Sequence, residues 1–269
     1  MSEFIFKRLH GPVPRYPLVL SYVPPHDKFT FIAGPCSVES SKQIHEIALK
    51  VAINGATHLR GGIFRAGTYP GKNFGWIDES IIAAFWHSAK NNDLQNIVEV
   101  LDYRDLNKLD QYSMCYQVGC RQMQNYTLLR AVGGAGKPVF LKRNPGATID
   151  EWLGAAEYIL DAGCKELYLI ERGSVSHTNH TRWDLSISMI PAVQAITKIP
   201  ILVDASHGTG RRDLVAPMTL AGVAAGANGC LIETHEDPLN SLSDADQALS
   251  IEDFSFLAAK IQTLRGVLK

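Results

Sequence analysis

Cys36, His207, Glu233 and Asp244 lie far apart in the chain. Three of them fall at or just past the end of an apolar run (FTFIAGPC, PILVDASH, GCLIETH), and Asp244 opens the last amphipathic stretch. One thiolate, one imidazole and two carboxylates suit a borderline divalent ion such as Mn, Fe, Co or Zn, and suit Mg or Ca poorly. A buried thiol, a hydrogen-bonded histidine and an N-cap aspartate give the same spacing without a metal. A second set is cationic: Arg60, Arg121, Lys142 and Arg172 also stand at or just beyond run ends. Cations on one rim repel until a small polyanion joins them, and guanidinium forks take phosphate or carboxylate oxygens bidentately while lysine adds a point charge. Separate surface salt bridges are the alternative. Glu99 and Asp204 end two more runs, as a general acid or base or as partners that orient a neighbouring cation. Arg65, Lys72, Arg143, Arg211 and Arg212 are weaker cationic candidates, and the Gly208-Thr209-Gly210 segment reads first as an ordinary tight turn, with an anion site at its backbone N–H groups as the alternative.

Such residues meet only if the fold brings run ends together. Eight runs, FTFIAGPC, ATHLRGG, NIVEVLD, MCYQVG, PVFLKR, ELYLIER, PILVDASH and GCLIETH, recur at intervals of roughly 20 to 35 residues with amphipathic stretches between them, the rhythm of repeated βα units. The expected fold is α/β, a single (β/α)8 TIM barrel, whose active face gathers the carboxyl ends of its strands. Strands are expected at 29–36, 56–62, 96–101, 114–119, 138–143, 166–171, 199–205 and 229–234, and helices over 37–53, 77–91, 148–162, 184–196, 213–225 and 244–268. Ser40 is an N-cap before the stripe Ile44, Ile47, Ala48 and Val51, and Thr148 to Glu151 is a capping box. The first, seventh and eighth strands of a closed barrel are contiguous, so Cys36, His207 and Glu233 are expected to converge. Two loops, 61–76 (GGIFRAGTYPGKNFGW) and 173–183 (GSVSHTNHTRW), exceed the usual βα length, and long loops in compact domains are usually functional.

The 269 residues match one barrel. Residues 1–28, rich in proline, read as an N-terminal extension that plugs the lower end of the barrel or packs on a neighbour, and 29–269 as the catalytic barrel. Lys and Arg number 26 against 27 Asp and Glu, so no net field attracts nucleic acid or an anionic membrane. No run approaches the ~20 apolar residues of a membrane span, and the N-terminus lacks a secretory pattern, so a cytoplasmic protein is expected. The 5 cysteines form no CxxC pair and no disulfide scaffold.

Taken together, GPCSVES (34–40), LRGG (59–62), EVLD (99–102), QVGCRQMQN (117–125), LKR (141–143), ER (171–172), DASHGTGRRDL (204–214) and IETHEDP followed by LSDADQAL (232–249) resemble one family. It is type I 3-deoxy-D-arabino-heptulosonate 7-phosphate (DAHP) synthase, the short class related to 3-deoxy-octulosonate 8-phosphate synthase. The resemblance covers nearly the whole chain after residue 28. It implies a metal-dependent, aldol-like condensation of phosphoenolpyruvate (PEP) with an aldose phosphate, foremost erythrose 4-phosphate, in a cytoplasmic homo-oligomer of the shikimate route to aromatic amino acids. It further implies a divalent ion on Cys36, His207, Glu233 and Asp244, the PEP carboxylate side on Arg60 and Lys142, and the PEP phosphate on Arg121 and Arg172. Glu99 would assist the water or a proton transfer. Lys142, Glu99 and His207 form the expected catalytic set, and Arg65, Thr68 and Asp204 complete the substrate-binding set. Where the family has Lys-Pro-Arg-Thr after the second strand, this chain has Arg65-Ala66-Gly67-Thr68. Charge and hydroxyl remain, while Gly67 removes a phosphate ligand, which implies a weaker demand for the acceptor's phosphate. Three other readings stay open: a DAHP synthase-like enzyme that uses a different aldehyde acceptor, a Schiff-base barrel aldolase with Lys142 as nucleophile, and a non-catalytic homologue that binds a phosphorylated metabolite.

Overall fold

Each of the eight apolar runs contains an extended segment paired in parallel with its sequence neighbours. In the computed structural model, which describes residues 15–65, 75–76, 78–177 and 179–268 (backbone only at 65, 75 and 76), these are β1 (Thr30–Gly34), β2 (His58–Arg60), β3 (Gln95–Glu99), β4 (Cys115–Val118), β5 (Val139–Lys142), β6 (Leu167–Glu171), β7 (Ile201–Val203) and β8 (Gly229–His235). β8 pairs back onto β1, from Thr30 opposite Gly229 to Gly34 opposite Glu233, and this closes the (β/α)8 barrel. Most strands are shorter than the runs that announce them, because the last polar residues already belong to loops. Cys36 therefore lies two residues beyond β1, and Asp204 leaves β7 for a helical turn.

The interior is filled by Ile32, Ile97, Cys115, Phe140, Tyr168, Ile170, Leu202 and Leu231, with the Phe140 and Tyr168 rings stacked at 4.4 Å between centroids. Side chains alternate between the faces of a strand, so the residue two beyond an inward one also points inward. Glu99 follows Ile97 in that phase, Lys142 follows Phe140, Arg172 follows Ile170, Asp204 follows Leu202 and Glu233 follows Leu231. The apolar plug thus continues upward into a layer of charged groups. The intervening Val98, Leu141, Leu169, Val203 and Ile232 face the helices in the outer core. Gly34 has φ +144°, and a Cβ there would stand 2.1 Å from the carbonyl oxygen of Arg60; only glycine lets β1 pass so close to β2.

Among the described residues, the helices of five residues or more are α1 (Pro17–Ser21), α2 (Ser41–Ile53), α3 (Glu79–Asn91), α4 (Tyr126–Gly134), α5 (Ile149–Asp161), α6 (Met189–Gln194), α7 (Ala205–Thr209), α8 (Arg212–Ala224) and α9 (Ile251–Leu268). Ser40 caps α2 and Thr148 with Glu151 forms the capping box of α5. Two expected helices begin later than the pattern suggests. α6 starts at Met189 because Asp184 pairs through its backbone with Ser174. α9 starts at Ile251, since Asp244 has φ +53° and Leu249–Ser250 extends beside β8. Of the N-terminal segment, α1 packs on α5: the backbone N–H groups of Leu18 and Val19 donate to Glu157 at 3.0 and 2.8 Å, and Tyr16 donates its hydroxyl to Asp150. His26 meets the Tyr168 hydroxyl at the amino end of the barrel, 3.2 Å away. Among the described residues no helix is long and apolar enough to cross a membrane.

Candidate active site

A cavity of about 520 Å³ opens at the carboxyl ends of the strands, and Cys36, Arg60, Glu99, Arg121, Lys142, Arg172, His207 and Asp244 all line it. The floor is a chain of paired polar side chains in which two buried carboxylates stand between Lys142, His207 and Arg60. Lys142 Nζ stands 2.9 Å from Asp204 Oδ2, His207 Nδ1 is 2.9 Å from the same oxygen, His207 Nε2 is 3.2 Å from Glu233 Oε1, and Arg60 Nη1 is 2.5 Å from that oxygen. Asp204 and Glu233 are wholly buried. Burial alone would raise the Asp204 carboxyl, but His207 and Lys142 outweigh it and hold the group well below the ordinary carboxylate range. Glu233 follows the same balance: burial raises it, and His207 with Arg60 lowers it further than burial lifts it. Burial works against the charge on Arg60, yet Glu233 first, then Cys36, Asp204 and Glu99, hold its guanidinium above its usual value.

Local structure fixes these groups twice over. Asp204 caps α7, its Oδ1 accepting from the His207 backbone N–H at 3.0 Å while the carboxylate holds the ring. The Glu233 N–H donates to Ser206 Oγ at 3.0 Å, and Gln247 donates to the other Glu233 oxygen. The loop carrying Asp244 is anchored by Arg212, whose Nε donates to the Ala248 carbonyl at 2.8 Å, and by a 2.9 Å hydroxyl pair between Ser243 and Ser37. Gly119 leaves room for Glu99, since a Cβ there would lie 2.1 Å from Glu99 Oε1.

Cys36 Sγ, a Glu233 oxygen and an Asp244 oxygen lie within 4.8 Å of one another, and the thiol donates to Asp244 Oδ2 at 2.9 Å. A single ion with bonds of about 2.0–2.3 Å spans such a trio, and thiol with carboxylates is a donor set for a borderline divalent metal. His207, also expected as a ligand, lies outside this trio and touches it through Glu233, its Nε2 standing 3.2 Å from Glu233 Oε1.

Not every residue picked from the sequence arrives in the cavity. Asp204 lies beneath it, holding Lys142 and His207. Arg143, one residue out of phase with Lys142, is buried outside the barrel axis against Glu171 at 2.5 and 2.9 Å. Arg211 pairs with Asp213 at the surface, and Arg212 spends its donors on the Asp244 loop rather than on the cavity. Gly208 and Gly210 direct their N–H groups to the Asp204 and Ser206 carbonyls at 3.1 and 3.0 Å, so this segment is the ordinary closed turn and not an anion site. Lys72 and Thr68 lie outside the described residues, as does the side chain of Arg65. Gln247, Ser206 and Trp183 support the site without any motif that singles them out. Gln247 sits in LSDADQAL, where the expected helix conceals its inward position, and the length of the loop 173–183 is the one signal for Trp183.

A family model described as "DAHP synthetase I family" matches residues 25–268. Over 240 residues the chain is 39% identical to the phospho-2-dehydro-3-deoxyheptonate aldolase of Thermotoga maritima, covering 89% of this chain and 71% of that protein. It is 23% identical to the 2-dehydro-3-deoxyphosphooctonate aldolase of Desulfotalea psychrophila, over 88% of this chain and 90% of that one. Among solved structures, a truncated form of 3-deoxy-D-arabino-heptulosonate 7-phosphate synthase from Thermotoga maritima superposes with a TM-score of 0.83 at 37% identity, over 90% of this chain and 88% of that chain. Phospho-2-dehydro-3-deoxyheptonate aldolase (DAHP synthase) from the same organism gives 0.86 at 38% identity, over 90% and 71%.

Proposed function

The chain belongs to the DAHP synthetase I family, and from that premise we propose that it condenses phosphoenolpyruvate with an aldose phosphate. Erythrose 4-phosphate is the leading acceptor, and the products are a 3-deoxy-2-keto sugar acid phosphate and inorganic phosphate. The observation that carries this reading is the meeting of Arg60, Arg121, Lys142 and Arg172 in one cavity with Cys36, His207 and Asp244.

In this reading the cations receive PEP. Arg60 and Lys142, held rigid by Glu233 and Asp204, take the carboxylate side, and Arg121 with Arg172 takes the phosphate. Fixing both reactants converts their encounter into a near-intramolecular step. C3 of PEP bonds to the aldehyde carbon as the carbonyl π bond opens and its oxygen takes a proton; water adds at C2 and gives up its protons, and phosphate departs with cleavage of the C2–O bond to leave the 2-keto group. Glu99, at the rim beside Gly119, would accept a proton from the incoming water. Cys36, Glu233 and Asp244, with His207 beside Glu233, would hold a divalent ion of the Mn, Fe, Co or Zn class. Such an ion when bound supplies Lewis acidity that polarises a carbonyl. His207, with Nδ1 held by Asp204, keeps one orientation toward Glu233.

Against the Schiff-base alternative stands the geometry of Lys142, whose Nζ pairs with the buried Asp204 carboxylate; an ion-paired ammonium serves electrostatic binding rather than carbonyl addition. The test is a phosphate-release screen with PEP against four- and five-carbon aldoses, phosphorylated and not, on protein supplied with each of the four metals. PEP-dependent phosphate release with a four-carbon aldose phosphate is expected. Absence of PEP consumption with every acceptor and every metal would overturn the reading.

A further inference from the structure

Three cations buried at the strand ends are matched by carboxylates: Arg60 by Glu233, Lys142 by Asp204 and Arg143 by Glu171. Arg172, equally buried, is matched by an aromatic ring. Its guanidinium carbon stands 5.4 Å from the centre of the Trp183 ring. Nη2 makes one long contact, 3.4 Å to the His207 carbonyl, while Nε and Nη1 are buried with no hydrogen-bond partner among the described residues. Both residues line the cavity. The cavity therefore has a cation that no acid of the described residues pairs with and whose Nε and Nη1 donors are unspent.

Trp183 is mounted, not draped. Its backbone N–H donates to the Gly208 carbonyl at 3.1 Å, and the adjacent Asp184 exchanges backbone hydrogen bonds with Ser174 at 2.8 and 3.0 Å. Gly173, φ +102°, makes the space: a Cβ at that position would lie 2.6 Å from Trp183 Cβ. Trp183 is thereby pinned to α7, with the indole set against Arg172.

We propose that Trp183 is a positioning residue for anion binding, its ring fixing the Arg172 guanidinium so that Nε and Nη1 stay available to the phosphate group of the substrate. An aromatic face steadies a guanidinium and offsets part of the cost of burying its charge without using any N–H. A carboxylate would steady it equally, but would neutralise the charge that a phosphate needs. The inference rests on the reading that this cavity takes phosphoenolpyruvate, and deepens it by assigning a specific support to the phosphate end.

The test is calorimetric binding of inorganic phosphate and, separately, of PEP to the full chain and to Trp183→Phe, Trp183→Gln and Trp183→Leu. Phe keeps a ring and loses the N–H; Gln keeps a donor and loses the ring. Gln and Leu are expected to weaken both ligands by roughly threefold to thirtyfold, the worth of a partly buried cation–π contact, with Phe retaining affinity within about threefold. The KM for the aldehyde acceptor is expected to stay constant, a split that general loosening of the fold would not produce. Wild-type affinity in Trp183→Gln, a loss in Phe as large as in Gln, or no measurable binding of either ligand to the wild type would overturn the proposal. If Leu fails to fold, the Phe and Gln pair decides. Should phosphate binding respond as expected while no acceptor supports PEP consumption, the condensation falls and the subsite stands; PEP turnover with unchanged affinities removes the subsite and leaves the condensation standing.

Discussion

Replacing Asp204 by Asn removes one charge from the centre of the buried network and almost no volume. Asn is as good an N-cap as Asp, so α7 and the His207 backbone contact survive, and the effect reports on charge. At 2.9 Å from Lys142 Nζ, the lost attraction is about 6 kcal/mol at an effective dielectric of about 20. Desolvation of the pair opposes that figure, and removing one partner of a buried pair costs about 3–5 kcal/mol. Asn still offers an oxygen to Lys142 or His207, which favours the lower end, about 3 kcal/mol. The pH dependence has a defined sign. The folded carboxyl is depressed below its ordinary 3.8, so its stabilisation is fully present above about pH 4 and is lost as pH falls below that. Urea unfolding followed by circular dichroism should show the wild type more stable than Asp204→Asn by about 3 kcal/mol at pH 7, with the gap narrowing in acid. Equal stabilities at pH 7, or a gap that widens below pH 4, would refute the argument.

Chelation is expected to abolish activity, and Cys36→Ser to lower cobalt or zinc occupancy by at least about tenfold, measured by elemental analysis after dialysis; full occupancy in the variant would remove Cys36 from the ligand set. Gly119→Ala places a Cβ 2.1 Å from Glu99 Oε1 on backbone at φ −66° that alanine adopts freely. Its kcat should fall at least about tenfold with the melting temperature nearly unchanged, and wild-type kinetics would show that Glu99 has no part in turnover. Arg143→Met strands Glu171 in the interior and should cost about 3–5 kcal/mol, while the double variant with Glu171→Leu recovers most of it; additive losses in chemical denaturation would contradict a direct pair.

Much of this protein is written in local pattern. Apolar runs such as PVFLKR and ELYLIER announce strands because both faces of a barrel strand are buried, and a residue that reaches the cavity stands at or near the end of most of them. The capping box at Thr148 and the N-cap at Ser40 are equally local, since a side chain and N–H groups within three residues suffice to form them. The motifs from GPCSVES to LSDADQAL carry the family. What sequence could not supply is phase and partnership. Lys142 and Arg143 are adjacent and alike in charge, yet one faces the cavity and the other Glu171, a choice made by the alternation of β5 relative to the Phe140 layer. Asp244 has the pattern of a helix cap but is a left-handed loop residue beside Cys36, because the strand Leu249–Ser250 and the Arg212 anchor hold the preceding chain away from α9. Trp183 belongs to no motif at all; only the return of its loop onto Gly208 puts a ring against Arg172. Residue type and period are properties of the neighbouring few residues and survive in one dimension, whereas which acid meets which cation depends on contacts between segments distant in the chain and exists only once the barrel has closed.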